Sequence, residues 1–278
     1  MHKPSAFEAM ARIGYTARGV VYLIIGLFAF LAAIVGRRPV DTKGALESLL
    51  TQPLGGALLA AIAAGLLCFA AWRVVQAFFD ADGHGNSLAG LARRAIYAGN
   101  AIFYVGLAIW SGSLIFALRS GSDSDENARD WTAWLMAQPF GKWLVAVAGI
   151  VVAAAGVGIA IKGLRGHFEQ RLQIDDDTKR WLSPLARYGH AARGAVFVMI
   201  GIFLIVAALH SDPSEAKGLG GALRLLQQQP FGWLLLAITA AGFLAFGIFE
   251  IVQAAYRRVA APSMHDVAAH ARLDRSPM

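Results

Sequence analysis

Two ionisable side chains, Arg73 and Glu250, stand within long stretches that otherwise carry no charge. A charge inside a membrane is costly, so such a residue marks an ion or proton site, or else a partner of opposite sign. The structural pairings open to these two are Arg73 with Glu250, or Glu250 with Arg18 or Arg193. Arg73 follows Pro53 by 20 residues and Glu250 follows Pro230 by 20, while Ile159 holds that place after Pro139. At the rise of an α-helix this is about 30 Å, near the inner edge of a hydrocarbon core, where a charge costs less. One carboxylate is also a thin basis for a proton relay, so the structural pair is the favoured reading. One turn further on stand Gln76, Lys162 and Gln253, which either extend the polar cluster or mark the interface.

Other chemistry is sparse. His2, His84, His167, His190, His210, His265 and His270 are scattered, and none shows the spacing of metal ligands. The lone Cys68 excludes an internal disulfide and reads as a small buried hydrophobe. The acidic run Asp123–Glu126 lacks the glycine and distal glutamate of a calcium loop. No phosphate-binding glycine loop and no nucleophile beside a base is visible. We therefore expect no metal, no cofactor and no enzymatic activity.

The elements that must position these residues are membrane helices. Six stretches, 19–36, 54–72, 95–118, 143–161, 194–211 and 225–249, contain no Asp, Glu, Lys or Arg, and each is long enough to span a bilayer. Hydrophobic residues make up 57% and charged residues 15%, which rules out an ordinary soluble globule. The first apolar run is longer than that of a cleaved signal peptide and reads as an uncleaved span. With six spans, sixteen Lys and Arg fall on the side of the termini and eight in the three opposite loops. The positive-inside rule then puts both termini in the cytoplasm. The net charge of +7 belongs to that inner face and suits anionic lipid. Its longest loop, roughly 164–190, is too short for a nucleic-acid-binding domain, and no nucleic-acid partner is expected.

The chain repeats itself. Arg12–Gly19 matches Arg187–Gly194 in its Arg, Gly and Ala positions, and a pair of glycines seven apart opens each odd span: Gly19 and Gly26, Gly99 and Gly106, Gly194 and Gly201. Gln-Pro-x-Gly opens each even span, around Pro53, Pro139 and Pro230. These prolines are expected in the first helical turn, where a missing N–H costs nothing. Small residues recur every seven positions from these anchors, among them Gly156 and Gly247, so the stripes are read as helix contacts, with large apolar residues facing lipid. A short amphipathic segment precedes each Gln-Pro (45–50, 131–136 and 222–226) and reads as an interfacial helix on the outer side, near a belt of Trp131, Trp134, Trp143 and Trp233. The expected fold is all-α: six transmembrane helices as three equivalent pairs in one membrane domain, 1–258. The repeats cover about 9–80, 90–166 and 185–258, and a polar tail, 259–278, is expected to be disordered.

The threefold A-R-x-G-Y-x-A-R-G and Q-P-[LF]-G pattern resembles the bacterial membrane family catalogued as domain of unknown function 1206. The resemblance implies a three-repeat fold and supplies no activity, ligand or catalytic residue. The middle repeat departs from it, with Ala92 and Ala98 in place of the two arginines. Two functions remain. The first is a non-enzymatic membrane component that packs against lipid and other membrane proteins, of undetermined oligomeric state. The alternative is a small-solute or ion carrier with a pseudo-threefold axis, for which the only mid-span polar residues are Asn100, Ser111, Ser113, Thr239 and tyrosines such as Tyr22 and Tyr104.

Overall fold

A computed structural model describes residues 6–85, 87–116, 124–166 and 175–256. Lys3, Arg119, Asp123, His167, Arg171 and the tail from 257, with the expected disorder of 259–278, lie outside them. The described residues contain no strand and nine α-helices. These are α1 (Ala6–Val35), α2 (Thr42–Leu50), α3 (Gly55–Phe78), α4 (Leu88–Ile115), α5 (Ser124–Met136), α6 (Gly141–Arg165), α7 (Asp176–His210), α8 (Leu219–Gln228) and α9 (Gly232–Tyr256). Six of them, α1, α3, α4, α6, α7 and α9, are long and apolar enough to cross a membrane. The protein is a multi-pass, all-helical membrane protein.

The helices outrun the uncharged stretches because charge ends an apolar run without ending a helix. The inner loop 164–190 is the clearest correction. There α7 starts at Asp176 and carries Pro184 within it, and Asp175 caps its start by accepting a hydrogen bond from the Thr178 hydroxyl at 2.6 Å.

The Gln-Pro-x-Gly motif also differs from expectation. Pro53, Pro139 and Pro230 do not sit in the first turn of a span; they sit in the tight turn before it, and the helix begins at the motif's glycine. The Gly55 N–H donates to the Gln52 carbonyl at 2.9 Å, and Gly141 to Gln138 at 2.8 Å. Proline at the second turn position and a left-handed third residue is the type II pattern. That third residue is bulky every time: Leu54, Phe140 and Phe231 have φ of 62°, 60° and 58°. Such a conformation costs on the order of 1–3 kcal/mol. These three side chains are 84%, 80% and 76% exposed, so the turn holds an apolar anchor outward at the membrane interface. The glycine that follows is obligatory: a Cβ on Gly55 would stand 1.8 Å from the Leu49 carbonyl oxygen, and on Gly232 1.9 Å from that of Gln227.

The spans pack in the order α3, α1, α9, α7, α6, with α4 on the far side of α3. All these neighbours run antiparallel. Between repeats, Gly19 and Gly26 of α1 lie on Gly247 and Leu244 of α9, and Gly194 and Gly201 of α7 on Gly156 and Ala153 of α6, with backbone atoms that a Cβ would approach within 3 Å. Within repeats one and three, Gly14 lies on Phe69 and Ala17 on Gly65; likewise Gly189 lies on Phe246 and Ala192 on Gly242. The seam residues expected from the seven-residue spacing are buried on α1, α3, α6, α7 and α9.

The middle repeat breaks the pattern. Gly99 and Gly106 are exposed and a Cβ on either would meet nothing, so on α4 the expected seam is not a contact. The buried stripe of α4 is Ala101, Tyr104, Ala108 and Ser111 instead. The cause is local sequence. Arg94 stands where Gly14 and Gly189 stand, Tyr97 where Ala17 and Ala192 stand, and Val151 and Ala155 where Gly65 and Phe69 stand. An arginine cannot enter a backbone-to-backbone contact. It turns to α3, donating from Nε to the Ala77 carbonyl at 2.7 Å and from Nη2 to Phe78 at 3.0 Å, and so satisfies the last carbonyls of that helix. Consequently α4 and α6 share no packed interface, and the bundle is open between them.

Gly14→Val should lower stability by about 1–3 kcal/mol through overpacking on Phe69, whereas Gly106→Ala should leave it unchanged or raise it by up to about 1 kcal/mol. Thermal unfolding of the detergent-solubilised protein separates the two.

Candidate functional site

The close approaches of α1 to α3 and α9 leave a small space at the centre, into which Arg18 of α1 points. Arg18 is 4% exposed, and its Nη1 donates to Oε2 of Glu250 at 3.1 Å, with Glu250 2% exposed. A buried ion pair survives when its remaining polar groups find partners, because desolvation otherwise outweighs the Coulomb attraction. Here aromatic faces supply much of that role. The Arg18 guanidinium carbon lies 5.0 Å from the Phe69 ring, 5.1 Å from Phe246, and 5.8 Å from Tyr22 and from Tyr104. Cation–π attraction strengthens where water is excluded.

The cluster extends to both sides. Arg73 also lies against the Phe69 ring, at 4.8 Å, and against Tyr97 at 4.9 Å, and its Nη1 donates to Gln76 Oε1 at 3.0 Å. Gln76, wholly buried, passes the bond on to Asp82 at 2.8 Å, and Tyr97 donates to the same carboxylate oxygen at 3.0 Å. Arg193 stacks on Phe246 at 5.0 Å, Phe197 at 5.1 Å and Tyr22 at 5.6 Å. Glu250 therefore pairs with Arg18; Arg73 is bonded to Gln76 beside it, and Arg193 shares the aromatic rings of Arg18. Gln253 is half-buried one turn from Glu250.

The repeats explain this uneven arrangement. By repeat register the matched positions are Glu250 with Arg18, Ile159 with Arg193 and Arg73 with Ala98. Three guanidiniums thus meet a single intramembrane carboxylate. The aromatic partners were not apparent from the sequence, although Phe69 and Phe246 are themselves equivalent, each 16 residues after its proline.

Residues expected mid-span do not assemble a polar site. The Ser111, Ser113 and Thr239 hydroxyls each bond a carbonyl one turn back on their own helix, at 2.7, 2.7 and 2.9 Å. Tyr22 and Tyr104 belong to the Arg18 cage. Cys68 is half-buried, not enclosed. Among the described residues no group of three metal-ligating side chains comes together.

On the side opposite the termini, Asp125 of α5 has a structural role that its acidic neighbours concealed. Its Oδ1 accepts from the Gly218 and Gly221 N–H groups at 2.8 and 2.9 Å, and its Oδ2 pairs with Arg224. A carboxylate at the start of α8 satisfies unpaired N–H groups and suits the helix dipole. The middle repeat is thereby tied to the third across the face opposite the termini, where α2, α5 and α8 lie as the expected interfacial helices.

Comparison with known proteins agrees with this architecture. A family model described as Domain of Unknown Function (DUF1206) matches residues 13–80, 95–166 and 188–257, one segment for each helix pair. The chain belongs to this family. It is also 35% identical over 255 residues to a protein of Bacillus subtilis (strain 168) named Uncharacterized protein YxxB, covering 91% of this chain and 92% of that one. No solved structure matches the chain. In this DUF1206 chain the segment that matches over 95–166 is the one that has lost its internal glycine contacts and its arginine.

Glu250→Gln leaves a buried guanidinium without its counter-charge and should cost about 3–5 kcal/mol, while the double variant Arg18→Met, Glu250→Leu should recover most of it; chemical unfolding in detergent measures both. Outside the membrane, burial raises the Asp80 carboxyl, but the N–H groups of His84 and Gly85, 2.8 and 2.6 Å away, and nearby Arg94 outweigh it and hold the group below 3.8. The stabilisation of this turn is therefore present above pH 3.8 and is lost as pH falls through the lowered value. Faster amide exchange at His84 and Gly85 only below pH 3.8 is the expected sign.

Proposed function

We propose that this protein is a non-enzymatic component of the bacterial inner membrane, with both termini in the cytoplasm, that acts by packing with lipid and with other membrane proteins. One observation carries the reading: the centre of the bundle is filled by the Arg18–Glu250 pair and its rings, Tyr22, Phe69, Tyr104 and Phe246. A carrier needs a polar, hydrated site near the midplane that opens to each side in turn. Here the mid-span hydroxyls are spent on their own helices, and the intramembrane charges are locked in aromatic stacks. The outward anchors Leu54, Phe140 and Phe231, and the exposed tryptophans Trp131, Trp134, Trp143 and Trp233, suit a protein held firmly at the outer interface. The orientation rests on the twofold excess of Lys and Arg on the side of the termini.

Reporter fusions decide the orientation. A C-terminal fluorescent fusion should fluoresce and a C-terminal alkaline phosphatase fusion should be inactive. Reconstituted liposomes decide the rest: uptake of protons, alkali cations and small anions should equal that of empty liposomes and be unaltered by Glu250→Gln. Uptake that Glu250→Gln abolishes would establish a carrier in its place.

A further inference from the structure

The opening between α4 and α6 leads to a basic side chain that has no acidic partner. Arg193 makes no hydrogen bond and no ion pair among the described residues, and its Nε is buried without an acceptor. Its equivalent, Arg18, has Glu250; the matching position opposite Arg193 is Ile159. Around it, the seams of α7 with α6, α7 with α9 and α9 with α1 are closed by glycine contacts. Arg193 nevertheless keeps partial exposure, and the unpacked gap between α4 and α6 is the path that leaves.

The face of α7 that carries Arg193 continues at helical spacing through Phe197, Ile200 and Leu204, a run of about 16 Å. Its outer end meets a hollow of about 280 Å³ where α5, α6 and α7 converge, lined by Trp131, Leu135, Val145, Ile200 and Leu204 and by one cation, Lys217. The arrangement is therefore Arg193 at the inner end of a largely apolar groove, with Lys217 at the other end held over the Phe203 ring at 5.1 Å. A free anion would find the cation and leave the groove empty; a neutral lipid would find the groove and leave the cation unpaired.

We propose that this groove holds one anionic phospholipid of the inner leaflet, its phosphate on Arg193 and an acyl chain along Phe197, Ile200 and Leu204. The lipid phosphate supplies the counter-charge that Ile159 does not, and the acyl chain fills the space that α4 and α6 leave. Arg is suited to this by its planar set of donors and weak hydration. The site rests on the gap in the middle repeat and not on the packing role proposed above; a carrier would contain it equally.

Native mass spectrometry of the full chain, delipidated in detergent, provides the test, with phosphatidylglycerol, diacylglycerol of the same chains and inorganic phosphate as probes. Phosphatidylglycerol should be retained about tenfold more strongly than diacylglycerol, the change expected from one charge-assisted contact. Arg193→Gln should abolish that preference. So should Ile159→Glu, which places a carboxylate where Glu250 stands relative to Arg18 and satisfies Arg193 internally. Arg93→Gln, on the exposed surface of α4, should retain it. Equal retention of both lipids by the unaltered protein overturns the proposal, as does a preference that survives in both variants. Inorganic phosphate bound as tightly as the lipid, with the same dependence on Arg193, overturns it in favour of a free-anion site. Should both variants fail to fold, the preference of the unaltered protein decides alone.

Discussion

Helices in a bilayer gain little from hiding apolar surface, because lipid tails solvate leucine as well as another helix does. Cohesion must then come from dispersion between backbones in direct contact, and that requires side chains small enough to let them meet. Every packed span pair other than α3 with α4 obeys this constraint. Gly19 lies on Gly247, Gly156 on Gly194, Gly14 on Phe69 and Gly242 on Ala192, each too close for an added Cβ. Large residues are displaced outward: Ile150, Val157 and Ile161 of α6 are exposed although the helix is apolar on every side.

Close approach has a second effect. Where two backbones meet near the inner edge, the side chains beside the contact are driven together into the centre. Arg18 and Glu250 each flank a contacting glycine, so their pairing is a by-product of the seam. The aromatic rings then reduce the cost of burying it. Phe69 and Phe246 have two contacts each, since their backbones receive Gly14 and Gly189 while their rings receive guanidiniums. Packing and electrostatics are carried by the same residues, and neither can be altered alone.

The middle repeat is where this constraint has been released. Replacing one contact glycine by Arg94 removes the approach of α4 to α6, turns α4 so that Gly99 and Gly106 face outward, and gives α3 a cap for its last carbonyls. The face opposite the termini compensates through Asp125, which ties α5 to the start of α8 by two bonds from backbone N–H groups and an ion pair. A threefold plan has become an asymmetric one, closed on two sides and open on the third.

The number of spans, their pairing into three repeats, the interfacial helices and the even-span seams were all legible in the sequence, because hydropathy and small-residue spacing act locally along one helix. Depth and repeat position singled out Arg73 and Glu250 in the sequence, with Arg18 and Arg193 as alternative partners for Glu250. Which arginine takes Glu250 was not legible, since depth is equal for all and only the relative rotation of two helices selects the partner. The conformation of Gln-Pro-x-Gly also eluded a local reading, because the glycine there is required by a carbonyl of the preceding interfacial helix. Nor did spacing reveal that Gly99 and Gly106 would be left without a partner. A stripe of small residues permits contact from its own side alone, and whether contact occurs depends on the facing helix, where Arg94 and Val151 take the places of glycine.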